Sequence, residues 1–284
     1  MRPIRRLLAR SRAWPFKPSA QKRAQRRALC DAFPLATART MNGRSLNARA
    51  TPALPVYDPG KLLVSVHIPK TAGTSLAKAL ETWFGDRLRL HYRNVARPVS
   101  ATDDAPGVCV HGHFQPDEPG RVRDYFPQAD QFITVMRDPF QRMISLWRFL
   151  NAMQQGGEVV PVLADNPTFD RWFAWQRERA ESDPITRVLA QLPDPVAPAM
   201  IETVFDHGFV AVGVSERFGD TLRVFAHALG KPLVDEIHTN RNGLSDALDY
   251  NSYRPAHEQA FRLEYEAYAV AEQRLEHQLR EINT

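Results

Sequence analysis

Lys70, Gly73, Thr74 and Ser75 crowd one short stretch, HIPKTAGTS (67–75), directly after the apolar run Leu62-Leu63-Val64-Ser65-Val66. These residue types suit an anion. A lysine brings a mobile full charge, a glycine permits close approach of the backbone, and two hydroxyls donate hydrogen bonds. The order differs from the nucleotide-binding loop GxxxxGK[ST], in which the lysine follows the glycines and immediately precedes the helix. Here Lys70 opens the loop. A strand-side lysine facing the free amides of a helix N-terminus suits a terminal phosphate-like group whose leaving oxygen becomes negative during transfer. Taken alone, the stretch also reads as an ordinary turn that carries a lysine.

Two further stretches carry chemistry. In VMRDPFQRMISLW (135–147), Arg137 stands at the end of an apolar run, and Arg142 and Ser145 are i, i+3 neighbours on the helix that follows. An arginine fork beside a serine hydroxyl matches a second phosphate; a salt bridge from Arg137 to Asp138 or to a helix end is the alternative. In VHGHF (110–114), His111 and His113 flank a glycine. A neutral imidazole can take the proton of an attacking alcohol, because its unperturbed pKa of ~6.5 leaves it mostly uncharged near neutrality. If the stretch is extended, both rings point to one side. His111 is open to a catalytic or a hydrogen-bonded structural role. A two-histidine metal site is a rival, but no further His or Cys stands at suitable spacing. In HTNRNG (238–243), Arg241 could meet a phosphate or an acidic sugar, and a turn organised by Asn240, Asn242 and Gly243 is the other reading.

The elements that must position these residues follow from periodicity. Leu62 to Ile68 reads as a strand buried on both faces. Leu76, Ala79, Leu80, Trp83 and Phe84 form a helix face that Gly85 can stop. Short strands are expected at 107–110, 132–136 and 209–214. Asp138 and Pro139 suit the start of a helix carrying Phe140, Met143, Ile144 and Trp147. Phe218, Leu222, Phe225 and Leu229 mark another helix, ended by Gly230 and Pro232, and a last helix is expected over roughly 255–280. Strands alternating with helices predict an α/β fold: a P-loop-like, mostly parallel sheet with helices on both faces. Ligands then bind beyond the carboxyl ends of the strands, where Lys70, His111, His113 and Arg137 would share a rim. Residues 151–208 break the alternation and read as a helical insertion. Its Trp172, Phe173 and Trp175 could line an acceptor groove or simply pack in a core.

Together, HIPKTAGTS and RDPFQRMISLW resemble the two cofactor signatures of sulfotransferases that use 3′-phosphoadenosine 5′-phosphosulfate (PAPS). More narrowly, they are similar to the carbohydrate group containing the uronyl 2-O-sulfotransferases and their bacterial relatives. VGVSERFGDTLRVFAHALG and ITRVLAQL resemble that group as well, so the likeness spans roughly residues 62–245. The resemblance implies that Lys70, Thr71, Gly73, Thr74 and Ser75 hold the 5′-phosphosulfate, and that Arg137 and Ser145 hold the 3′-phosphate. It further implies that Lys70 aids departure of the leaving group and that the second histidine, His113, is the base. No metal is needed in such enzymes. The acceptor would be a hydroxyl of a glycan or glycolipid.

Composition narrows the rivals. With 284 residues, 43% hydrophobic and 24% charged, the chain has the balance of a globular protein with a sizeable core. The net charge of +5 divides unevenly. Residues 1–30 hold 10 of the 37 Arg/Lys and no acid, which leaves 27 bases against 32 acids and a net of −5 beyond the arm. Residues 1–60 therefore read as a basic arm and a Pro-containing linker, and 61–284 as the sulfotransferase domain. The arm could touch an anionic membrane or another polyanion, or be a solvated tail. The acidic body and the lack of a recognition motif argue against nucleic acid. The loop order argues against a phosphoryl-transferring kinase. Cys30 and Cys109 make no CxxC and suggest a reducing compartment. No apolar stretch nears the ~20 residues of a membrane span, and the longest apolar piece of the arm, Leu7-Leu8-Ala9, is too short for a secretory signal. The Golgi-anchored relatives carry an N-terminal membrane helix, so the expectation is a bacterial, cytoplasmic enzyme, peripheral at the inner membrane face.

Deleting residues 1–30 is expected to leave nucleotide binding intact, because no candidate site residue lies there. Any loss should be confined to a membrane-bound or polyanionic acceptor and shrink as salt rises. Calorimetry with the product nucleotide tests this, and a truncated protein that cannot bind it would move the domain boundary.

Overall fold

A computed structural model describes residues 55–92, 106–114, 120–234 and 248–283. The basic arm and the HTNRNG segment with Arg241 lie outside the described residues. β1 is Leu63–Val66, α1 Gly73–Phe84, β2 Leu88–His91 and β3 Cys109–Gly112. A short α2, Val122–Tyr125, precedes β4, Phe132–Met136, and α3, Pro139–Gln155. Next come α4 (Pro161–Asp165), α5 (Phe169–Ser182), β5 (Phe209–Val214) and α6 (Phe218–Ala228), then α7 (Arg254–Ala260) and α8 (Arg262–Ile282).

The five strands form one sheet in the order β2-β3-β1-β4-β5, and every pairing is parallel. Consecutive residues of β1, β3, β4 and β5 are all buried, so both faces of the central sheet are covered. The α/β architecture expected from the sequence is the one observed. β1 and β4 are neighbours, paired from Val64↔Phe132 to Val66↔Thr134. The chain leaves β1 toward β2 at one edge and leaves β4 toward β5 at the other. Adjacent strands whose connections diverge open a crevice at their carboxyl ends. The HIPKTAGTS loop and Arg137 stand at that crevice.

Helix α1 buries Leu76, Ala79, Leu80, Trp83 and Phe84, the face its spacing predicts, and Gly85 ends it at φ +50°, where a side chain would be strained. Helix α3 begins as expected: Asp138 caps it by accepting from Gln141 N at 2.8 Å, with Pro139 in the first turn.

Two expectations need correction, and one strand was not expected. The strand expected at 107–110 is Cys109–Gly112, so His111 lies within the sheet, paired with Ser65, and not after it. Leu88–His91 forms an edge strand that periodicity did not signal; only its last residue is buried. The single terminal helix is two, α7 and α8, separated at Phe261, whose ring stacks on His257 at 4.2 Å.

The insertion packs outside α3. Phe140, Met143, Trp147, Leu163, Phe169, Trp172, Phe173 and Tyr250 make a second apolar cluster, with Trp175 partly buried at its side. Trp172 is wholly buried, which favours core packing for Trp172 and Phe173. Trp172→Ala should therefore cost about 3–5 kcal/mol of stability, the range for truncating a large core aromatic. Urea denaturation measures it; a loss no larger than that of a surface substitution would take Trp172 out of the core.

Candidate active site

The loop between β1 and α1 has unusual backbone. Lys70 and Ala72 both adopt positive φ, 72° and 63°. For residues with a Cβ this is a strained conformation costing of order 1–3 kcal/mol each. Alternation of this kind turns successive N–H groups toward one concavity, the arrangement of anion-binding nests. Ala72 is the N-cap of α1 and offers no side-chain partner to the helix. Ser75 N and Leu76 N bond to Ala72 O at 3.0 Å each. The amides of Gly73 and Thr74 are the unpaired donors of any helix N-terminus. Thr74 is exposed and Ser75 half-buried, whereas Thr71 is buried and its hydroxyl donates to Ile68 O at 2.7 Å.

Two cations stand at this loop. Lys70 is half-buried, with Nζ 4.4 Å from the centre of the Phe149 ring on α3. Arg137 crosses the crevice and donates from Nη1 to the Lys70 carbonyl at 3.1 Å. Burial, then proximity to Arg137, holds the Lys70 ammonium below its ordinary pKa. Burial likewise lowers Arg137, against the pull of Glu216 and Asp138. Two partly desolvated cations that repel each other are the electrostatic condition an anion relieves. The chemistry of the donor set thus fits a phosphosulfate-type group.

Arg137 is held from behind. Glu216, just past β5, lies 3.8 Å from its Nε, accepts from Asp138 N at 3.2 Å and receives the Tyr268 hydroxyl at 3.3 Å. Arg254 grips Asp138 with two bonds of 3.1 and 3.2 Å. Arg142 does not join Ser145 in a fork: it is buried against Glu264 of α8 at 3.1 Å. Ser145 itself is half-buried one turn further along α3.

The histidines form a stack. His67, the first residue after β1, lies between His111 (ring centres 5.1 Å apart) and His113 (4.2 Å apart). The extended backbone does place His111 and His113 on one side, as expected, and the ring they share is that of His67. His111 is fully buried and its Nδ1 meets Ser65 Oγ at 2.9 Å. Burial, reinforced by His113 and opposed by the Gly73 backbone, pushes it down to about 3. His67 Nδ1 meets the Tyr92 hydroxyl at 2.8 Å, and burial holds its pKa well below the usual histidine value.

His113 is only half-buried, and its Nδ1 lies 2.9 Å from the carbonyl oxygen of His67. A carbonyl can only accept, so Nδ1 carries the proton. The neutral ring therefore presents Nε2 as a bare lone pair. Burial lowers the His113 pKa, the bond to His67 opposes this, and His91 adds to the lowering.

Gly73 has a role that spacing did not suggest. A Cβ there would come within 1.7 Å of His67 Nε2. The room left by this glycine is filled by the His67 ring, so the loop and the histidine stack are in contact. Besides His67, periodicity missed Tyr92 and Glu216. The position of His67 and Glu216 immediately past strand ends is the signal that could have found them. Among the described residues no group of three or more His, Cys, Asp or Glu could hold a metal, and no helix is long and apolar enough to cross a membrane.

Residues 56–193 match the model of the sulfotransferase family. The match takes in the loop, the histidine pair, Arg137 and Ser145; β5 and the helices after it lie beyond it. No curated protein matches the chain.

The buried rings make stability depend on pH. An unfolded histidine takes a proton near 6.5, but folded His111 and His257 resist it until about 3. Their contribution is complete above 6.5 and is lost as pH falls from there toward the folded values. The slope is about 1.4 kcal/mol per pH unit for each such ring. Urea midpoints should thus fall clearly between pH 7.5 and 5, and a flat profile would mean that the rings are not held neutral.

Proposed function

We propose, starting from the match of residues 56–193 to the sulfotransferase family, that the chain is a sulfotransferase whose donor is PAPS and whose acceptor is a hydroxyl of a glycan or glycolipid. Sulfonyl transfer is the chemistry of that family. The finer reading rests on the two anion-binding positions and on His113. The observation that carries it is the bond from His113 Nδ1 to the His67 carbonyl, which leaves Nε2 unprotonated beside the anion loop. That is a general base prepared for an alcohol.

When bound, the donor supplies an activated sulfonate whose departure leaves negative charge on a phosphate oxygen. Lys70 and the amides of Gly73 and Thr74 hold that phosphosulfate and stabilise the developing charge, with Ser75 adding a hydroxyl. Thr71 contributes through its backbone, since its hydroxyl is engaged by Ile68. Arg137 and Ser145 hold the 3′-phosphate, Arg137 being oriented by Glu216. Nε2 of His113 takes the proton of the acceptor hydroxyl as the oxygen attacks. His111, sealed in the sheet, supports the stack from below and does not reach the acceptor.

The family match and the position of Lys70 ahead of the glycine both speak against a phosphoryl-transferring kinase. The net −5 of the chain beyond residue 30 speaks against a nucleic-acid module. The glycan or glycolipid class follows from the resemblance of the loop and VHGHF to the carbohydrate group. A cytoplasmic location with the arm at an anionic membrane face follows from the arm's charge.

Thermal shift should show strong stabilisation by 3′-phosphoadenosine 5′-phosphate and much less by ATP with Mg²⁺; equal stabilisation would favour the kinase. His113→Ala should lower turnover by ~10²–10⁴-fold with nucleotide affinity nearly unchanged. The wild-type rate should rise with pH through an acid limb below 6.5, because the ring must be neutral to act and its pKa is depressed. That limb should be missing from the mutant's residual activity. If His113→Ala retains the wild-type rate and limb, the base is another group.

A further inference from the structure

We infer that His67 is the positioning residue of this site, and that with Tyr92 it holds the His113 ring in the Nδ1–H form and ties it to the anion loop. The inference rests on the reading of His113 as base. Four contacts of one residue carry it. The carbonyl of His67 receives the His113 Nδ1 proton at 2.9 Å. Its ring lies 4.2 Å from that of His113, inclined by only 26°, which blocks rotation of His113 away from the carbonyl. The same ring fills the space beside Gly73, where no Cβ could stand. Its Nδ1 is held by the Tyr92 hydroxyl at 2.8 Å. Residue 67 also begins the loop that Lys70 opens, so its carbonyl and the anion site share one rigid segment.

The chemistry follows from this geometry. A free neutral imidazole in water favours the Nε2–H form, which has no lone pair at Nε2 and cannot act there as a base. Pinning the proton on Nδ1 removes that form. When Nε2 takes the acceptor proton, His113 becomes a cation with both nitrogens protonated; its Nδ1–H still points at a carbonyl, and its face lies on the neutral, electron-rich His67 ring. His67 therefore serves both protonation states. It touches neither reacting atom, and it acts through His113.

The titratable groups facing His113 are His67 from the loop, His91 and Tyr92 from the end of β2, and His111 on its own strand, with Lys70 beyond His67.

The full-length protein with ¹⁵N-labelled histidine tests the inference directly. Long-range ring ¹H–¹⁵N spectra distinguish Nδ1–H from Nε2–H, and His113 is identified by the signal missing from His113→Ala. The wild type should show Nδ1–H at His113. His67→Ala should show a mixture containing Nε2–H, and kcat should fall about 10–100-fold, the scale of a catalytic group displaced by about 1 Å. KM for the acceptor should change less than kcat. The acid limb should move up toward the ordinary histidine value, because water reaches the uncovered ring. His67→Phe keeps the stack and the filled space by Gly73, and should restore most of kcat. Tyr92→Phe removes a single hydroxyl; it should soften the tautomer preference, and it serves as the test if His67→Ala does not fold. A His67→Ala or Tyr92→Phe protein with the wild-type tautomer, kcat and limb overturns the inference. Activity retained in His113→Ala would instead sink the assignment of the base, an outcome the tautomer spectra distinguish.

Discussion

The ring of His67, lodged where Gly73 lacks a Cβ, is the contact on which the rest of the site depends. On one side it is part of the loop whose strained backbone at Lys70 and Ala72 leaves helix amides facing outward. On the other it is the middle member of a stack reaching from a sealed histidine, His111, to a half-exposed one, His113. An anion site and a base usually need separate supports. For the anion site and base proposed above one residue supports both, because β1 ends beside β3 and the first residue past β1 meets the residues at the end of β3. The backbone bond from His67 N to Gly112 O at 2.8 Å continues that strand pairing into the site.

The opposite wall of the crevice is built by charge. Arg137 leaves β4 and is placed by the Lys70 carbonyl in front and Glu216 behind. The helix it precedes, α3, is fastened by its own cap, by the Arg254 grip on Asp138 and by the Arg142–Glu264 pair under α8. Breaking a buried pair such as the last leaves an uncompensated charge, which is far costlier than the pair is stabilising. These bonds are therefore better understood as fixing where α3 starts. Its start sets the direction of Arg137 and the position of Ser145 nearly two turns later. The second apolar cluster, centred on Trp172, presses on the outer side of the same helix.

Much of this was legible without coordinates. Leu63–Val66, Phe132–Met136 and Phe209–Val214 are apolar runs interrupted only by the small polar residues Ser65 and Thr134, and a strand buried on both faces needs no partner to announce itself. The Asp138-Pro139 start of α3 and the Gly85 stop of α1 are local backbone chemistry. Leu88–His91 was not legible, because an edge strand with one buried residue becomes a strand only when β3 offers its hydrogen bonds. Nor was the break at Phe261. The segment HEQAFRLEYE holds neither glycine nor proline, so nothing in its local chemistry marks the point where α7 ends and α8, which packs against β5, begins. The partner of Arg142 is hidden from the sequence for a similar reason. Spacing puts it beside Ser145, but its partner Glu264 is 122 residues away.

The sequence by itself determined four of the five strands and the helices between them, and it singled out the 67–75 loop with the candidates Lys70, Arg137, Ser145, His111 and His113. Residue type and short-range periodicity carry that information, because strand burial, helix capping and charge are properties of neighbours along the chain. Only the tertiary structure decided which imidazole is sealed and which is open, which nitrogen of His113 bears the proton, and that Gly73 makes room for His67. Those follow from parallel pairing across the sheet, which sets β1 and β3 side by side although some 46 residues separate them. A tautomer is fixed by the atom that happens to lie 2.9 Å away, and no local pattern encodes that distance.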